Sequence, residues 1–160
     1  MSENISHQFL RNAYLEDYKV GRIFEFGPVV VEKKDIISFA QKFDPQYFHV
    51  KEELAEKSQF GGLIASGWHT CSVMMRLLVD NFISERASLG SPGVEKIRWI
   101  QPVRPNDSLN LKIEIIENRR SRTKPDRGIV RSKIEMFNQR RVAVLNMETV
   151  GFFLSKEPSI

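Results

Sequence analysis

Past the middle of the chain the hydrophobic period changes from helical to two. Leu109, Leu111, Ile113 and Ile115 alternate with Asn110, Lys112 and Glu114. A period of two puts alternate side chains on opposite faces of a strand. Strands are expected over 94–100, 109–116, 128–138 and 141–154. Asn138-Gln139-Arg140 is short enough for a hairpin turn, and 102–107 forms a slightly longer one. Upstream, Ile36, Phe39, Ala40 and Phe43 share one face of a helix over about 32–43, and Pro45 lies just past its end. A short helix over 51–58 has Glu52 and Glu53 at its start and Lys57 near its end, as the helix dipole favours.

Gly61-Gly62 breaks that helix, and Ser66 is placed to cap a long one over 67–87. Val73, Met74, Met75, Leu77, Leu78, Val79, Phe82 and Ile83 distribute over several of its sides, so it is expected to be covered nearly all round. Residues 21–31 read as one or two short strands broken at Gly27-Pro28. Residues 1–20 are mixed in character and are expected to wrap the surface as an N-terminal extension. No repeat, low-complexity tract or linker divides 1–160, so a single domain is expected. Helices and strands segregate along the chain, which predicts an α+β fold with an antiparallel sheet. The simplest packing wraps that sheet around the long central helix.

The composition, 41% apolar and 28% charged, is that of an ordinary soluble globule. The single cysteine, Cys71, excludes an internal disulfide and suits a reducing cytoplasm. No secretory signal is visible at the start of the chain. The apolar segment 68–83 carries His69, Arg76, Asp80 and Asn81, so it reads as a buried core helix and not as a membrane insertion. Three histidines and one cysteine, scattered along the chain, predict no metal site. The net charge of +4 mildly favours anionic partners.

Candidate chemistry gathers in two neighbouring segments. Asp44 and His49 lie five residues apart in Asp44-Pro45-Gln46-Tyr47-Phe48-His49. An Asp before Pro is a common turn element, so Asp44 alone carries little weight. A carboxylate and an imidazole on one turn, however, can divide proton transfer between them. Downstream, Gly62-Leu63-Ile64-Ala65-Ser66-Gly67-Trp68 opens the long helix, where free backbone N–H groups favour negative charge. Ser66 is first a helix cap, and Gly67 has no side chain to block close approach. His69, one turn into the helix, is assigned a packing or hydrogen-bonding role.

These segments resemble the hydratase signature of the MaoC-like family, the (R)-specific enoyl-CoA hydratases and related dehydratases. Asp44 and His49 match in type and spacing, while Gln46, Tyr47 and Phe48 depart from the usual Asn, Pro and aliphatic residues. Ser66 stands where the family frequently has His. Gln101-Pro102-Val103-Arg104-Pro105-Asn106-Asp107 is similar to the family's Pro-Val-Arg-Pro-Gly-Asp turn, with Asn106 for Gly; both residues suit a left-handed turn position. The resemblance implies a single hotdog fold and reversible addition of water to an enoyl thioester in fatty acid metabolism. It assigns Asp44 and His49 as the catalytic pair, and Ser66 and Gly67 to oxyanion or substrate binding. It implies no cofactor beyond coenzyme A as part of the substrate. The expected partners are an acyl-CoA or acyl-carrier thioester and a second copy, as a homodimer or dimer of dimers.

Between the second and third late strands, Arg119, Arg120, Arg122 and Lys124 crowd a turn. Such a charge run is ordinarily a solvated hairpin tip; here it also offers contacts for coenzyme A phosphates. No aromatic residue interleaves with these cations, so nucleic acid is not an expected partner. A hotdog thioesterase, a non-catalytic acyl-CoA-binding protein and a subunit needing a different second chain remain open beside the hydratase.

Overall fold

The alternation around residue 111 is realised in full. In the computed structural model, which describes residues 10–157, Leu109, Leu111, Ile113 and Ile115 are buried on one face of β3 (Ser108–Arg120). This strand belongs to a five-stranded antiparallel sheet with β1 (Ile23–Val30), β2 (Gly93–Trp99), β4 (Arg127–Phe137) and β5 (Ala143–Leu154). The order across the sheet is β1-β3-β4-β5-β2. Register carries the apolar row from strand to strand. Leu111 faces Met136 and Met136 faces Leu145; Ile113 faces Ile134 and Ile134 faces Met147. Cross-strand apolar pairs of this kind are what hold a sheet's buried face together.

Four α-helices lie between β1 and β2: α1 (Lys33–Phe43), α2 (Tyr47–Val50), α3 (Glu52–Glu56) and the long α4 (Gly67–Asn81). The buried face of α4 includes Met74, Leu77 and Leu78, which join the sheet residues in one core. The sheet wrapped on one long helix is the hotdog arrangement. The break expected at Gly27-Pro28 is a bulge within a continuous β1, since Phe26 pairs with Leu111 and Val29 with Leu109. At Gly27, with φ +116°, an added Cβ would sit 2.8 Å from the Leu109 carbonyl oxygen, so only glycine fits.

Four expectations are corrected. The helix placed over 51–58 is α3 alone, preceded by the separate turn α2. The long helix ends at Asn81 and not near residue 87. The Ser84 hydroxyl accepts from the Arg86 and Ala87 N–H groups and donates to the Arg11 carbonyl, so a side chain takes over where helical bonds would continue. Nor is α4 covered all round: Trp68 is 59% exposed, Met75 46% and Val79 45%, because one sheet covers one side of a helix. Finally, the described part of the N-terminal extension is core and not wrapping. Leu10, Ala13, Leu15 and Tyr18 are buried, and Gly128 leaves room for Leu15. The Tyr18 ring packs on Phe82 and Phe153 while its hydroxyl donates to the Phe82 carbonyl at 2.9 Å. The Asn118 amide donates to the Leu15 and Tyr18 carbonyls.

Among the described residues no helix is long and apolar enough to cross a membrane. Tyr18→Phe removes a buried donor and leaves the Phe82 carbonyl without it. It is expected to lower the unfolding free energy by about 1–3 kcal/mol in urea titration. An unchanged midpoint would show that the extension is not anchored there.

Candidate active site

Helix α1 stops at Phe43 because Asp44 precedes proline, whose ring disfavours helical geometry in the residue before it. Asp44 takes φ −153° and ψ 67°, yet its N–H still bonds the Ala40 carbonyl at 2.9 Å. The chain then doubles back: Gln46 N–H donates to the Asp44 carbonyl, and Gln46 opens the single turn α2. That turn carries His49 inward until it is 4% exposed.

His49 is oriented by the segment leading into α4. Its Nδ1 lies 2.8 Å from the Ile64 carbonyl oxygen. A carbonyl only accepts, so Nδ1 carries the hydrogen and Nε2 presents its lone pair. Nε2 faces Asp44 Oδ2 at 3.4 Å. The segment itself is pinned on two sides: Ile64 N–H donates to the Phe48 carbonyl and Ala65 N–H to the Val103 carbonyl. The 102–107 turn holds Val103 in place. Asn106 is left-handed there (φ +69°), as its substitution for glycine suggests, and the Asp107 carboxylate takes the Arg104 N–H at 2.8 Å.

Ser66 joins the two halves of the site. Its Oγ accepts from Trp68 N–H at 3.2 Å, which is the expected helix cap, and donates to Asp44 Oδ2 at 2.7 Å. Gln46 Nε2 donates to the other carboxylate oxygen at 2.8 Å. Burial alone would raise the Asp44 pKa. The hydrogen bonds from Ser66 and Gln46 and the neighbouring His49 outweigh it and hold the carboxyl below its usual value. Asp44 is therefore ionised at neutral pH, an acceptor facing the His49 imidazole.

The pair opens on a cleft of about 480 Å³, a size that accepts a small organic ligand. Its walls include Asp44, His49, Gly67, Trp68, Trp99 and Pro102. Gly67 is the first helical residue. Trp68 N–H is taken by Ser66 Oγ, Thr70 N–H by the Ser66 carbonyl, and Gly67 N–H has no protein acceptor among the described residues. Asp44, His49 and Gly67 thus come together as expected. Ser66 is fully buried beneath Asp44, its one hydroxyl hydrogen already committed, so it braces the carboxylate and does not form the cleft wall.

The basic hairpin is not brought to the cleft within one chain. Trp99 and Ile100 run beside Leu145 and Val144 at one end of β5, while the hairpin base, Arg127, pairs with Leu154 at the other. At about 3.3 Å per residue those ends are roughly 30 Å apart. Arg120 is spent on Glu16 and the Glu157 carbonyl, and Arg119 on Glu117. Within one chain, Arg119, Arg120, Arg122 and Lys124 are therefore not brought to the Asp44–His49 cleft: spacing along the chain cannot show which end of a strand a hairpin occupies. His69 packs against Phe39 with ring centroids 4.9 Å apart and lies outside the cleft, consistent with a packing role. Burial holds its imidazole below the ordinary pKa. Two members of the site are not singled out by pattern. Gln46 stands out in the sequence only as a departure, though an amide two residues after Asp is placed to reach it. Trp99 gives no signal beyond its position before the 102–107 turn. Among the described residues no three His, Cys, Asp or Glu side chains are grouped to hold a metal.

Comparison with known proteins places this geometry. The family model for the MaoC like domain matches residues 17–136. The protein YdeM of Bacillus subtilis (strain 168) is 32% identical over 134 residues, 84% of this chain and 94% of YdeM. The 3-hydroxybutyryl-CoA dehydratase of Methylorubrum extorquens is 29% identical over 113 residues, 68% of this chain and 67% of that protein. The crystal structure of the MaoC-like dehydratase from Rhodospirillum rubrum superposes with a TM-score of 0.84 at 37% identity, over 91% of this chain and 99% of that one. The family match spans β1 to β4 and the whole of the Asp44–Gly67 site: the chain belongs to the MaoC-like domain family.

Proposed function

We propose that the protein is an acyl-thioester hydratase/dehydratase, reversibly adding water across the 2,3 double bond of an enoyl-CoA to give a 3-hydroxyacyl-CoA. The observation that carries this reading is the facing of Asp44 Oδ2 and His49 Nε2, 3.4 Å apart, beside the open Gly67 N–H. In the hydration direction the Asp44–His49 pair takes a proton from water as its oxygen bonds C3, and passes that same proton on to C2. The electrons of the double bond pass through the thioester, whose oxygen becomes transiently negative and meets the Gly67 N–H at the positive end of α4. Hydrogen and hydroxyl are added in balance, the step is redox-neutral, and the pair returns to its starting protonation. The 3-hydroxybutyryl-CoA dehydratase relative bears a name that describes this reaction in reverse.

A second copy completes the fold in this reading. Trp68, Met75 and Val79 on α4 and Val94 and Ile100 beside it are exposed, and β2 is an edge strand with one side unpaired. Apolar surface next to an open edge favours association, and identical chains close most simply as a two-fold dimer.

Three outcomes are expected. Asp44→Asn and His49→Gln remain folded but lose about 10²–10⁴-fold in the rate at which crotonyl-CoA absorbance decays in the enoyl-thioester band. Turnover at the wild-type rate would remove that residue from the chemistry, and release of free thiol with the double bond intact would mark a thioesterase instead. Ser66→Ala takes one donor from Asp44, so its pKa rises toward the ordinary value and the acid limb of kcat/KM moves to higher pH. The sign is set by the depressed folded pKa: the stability Asp44 contributes is present above its unfolded pKa and is lost as pH falls through the folded one. In the variant that contribution is smaller and its loss is complete at a higher pH, while the missing cap costs about 1 kcal/mol at all pH values. Analytical ultracentrifugation at micromolar concentration is expected to give twice the chain mass, and a single-chain mass would contradict the dimer.

A further inference from the structure

We propose that Trp99 is a positioning residue for the entrance of α4, turned onto Gly67 by a bulge in the edge strand β2. The inference rests on the hydration reading, in which Gly67 supplies the donor for the thioester oxygen.

The bulge comes first. Along β2, Val94 pairs with Thr149 and Glu95 with Glu148, but the next pair is Arg98 with Asn146. Three steps on β2 match two on β5, so one extra residue is inserted. Lys96 absorbs it in a left-handed conformation, φ +52°. A one-residue shift reverses which face each later side chain occupies. Val94 and Thr149 line the same apolar pocket under α4. Counted from Val94 without the bulge, Trp99 would point to the opposite face, with Glu95. With it, Trp99 pairs with the buried Leu145 and its indole turns to the helix side.

There the indole meets the first turn of α4. Trp99 Nε1–H donates to the Gly67 carbonyl at 2.9 Å. A Cβ added to Gly67 would lie 2.6 Å from both Cε2 and Nε1 of the ring, so the indole occupies the space a side chain would take. The Gly67–Trp68 peptide is then held at both ends, its carbonyl by Trp99 and its N–H by Ser66 Oγ. The preceding peptide is held by its carbonyl, which accepts the Thr70 N–H. These restraints answer a conflict in the site. A glycine admits the thioester closely, yet a glycine is the residue least able to fix its own backbone direction. Trp99 supplies from another strand the restraint that Gly67 lacks. Donors misplaced by a fraction of a bond length lose much of their effect on the transition state.

The test compares kcat and KM on crotonyl-CoA for wild type, Trp99→Phe, Trp99→Leu, Gly67→Ala and the Gly67→Ala/Trp99→Leu double variant. Each is checked for wild-type circular dichroism and assayed where it has the wild-type mass. Trp99→Leu is expected to lower kcat by about tenfold to a hundredfold with KM changed less than about threefold. Trp99→Phe keeps a ring over Gly67 and loses only the donor, so it recovers part of that loss and carries the test alone if Trp99→Leu does not fold. The methyl of Gly67→Ala clashes with the indole, so its cost is smaller in the Trp99→Leu background than in wild type, a non-additive pair. Wild-type kcat in the folded Trp99 variants, or strictly additive effects of the two substitutions, would overturn the proposal while leaving the hydratase reading standing. Absence of enoyl loss in wild type itself would instead bring down the hydratase reading, and this inference with it.

Discussion

One hydroxyl couples the architecture of this protein to its chemistry. Ser66 Oγ accepts the Trp68 N–H and so starts α4; its hydrogen goes to Asp44 and so holds that carboxylate ionised. The helix cannot shift along the sheet without moving the cap, and the cap cannot move without releasing Asp44. His49 is tied to the same short segment through the Ile64 carbonyl, just before the helix begins. The carboxylate, the imidazole and the helix N-terminus are therefore set relative to one another by bonds converging on residues 64–66. Preorganisation of this kind places donors and charges before substrate arrives, so little reorganisation is left for the moment of reaction.

The sheet's part is to make that convergence rigid. The apolar row from Leu111 through Met136 to Leu145 gives α4 a continuous bed, and the far end of the helix is closed by Tyr18, Phe82 and Phe153. The charges of the basic hairpin serve this closure too: Arg120 meets Glu16, and Ser155 and the Lys156 N–H bond the same carboxylate. The burial of Glu16 opposes its ionisation, and these partners outweigh burial to keep its pKa below the ordinary value. The end of the molecule that looks most like an anion site by composition is thus a clasp between the two termini of the described chain.

Much of this is legible in the sequence. The period of two over β3 and the spacing of Asp44 and His49 are local properties, and local properties survive folding. So do the Ser66 cap and the left-handed Asn106, because turn and cap chemistry is decided by a few neighbouring atoms. What sequence reasoning misses depends on residues far apart in the chain. The end of α4 is misplaced because Ser84 competes with the helix through Arg11, more than 70 positions away. The role of the hairpin cations depends on which end of β5 they reach. Trp99 is invisible because its direction follows from a single inserted residue at Lys96, which alternation in the sequence does not mark.

The central claim is that Asp44 and His49 add water across an enoyl thioester. It is tested most directly by incubating crotonyl-CoA with wild type and with Asp44→Asn in D₂O and identifying the products by NMR. The account predicts 3-hydroxybutyryl-CoA carrying one solvent deuteron at C2 with wild type, and unreacted crotonyl-CoA with the variant. No deuterated hydroxyacyl product from wild type, or equal yield from Asp44→Asn, would contradict it.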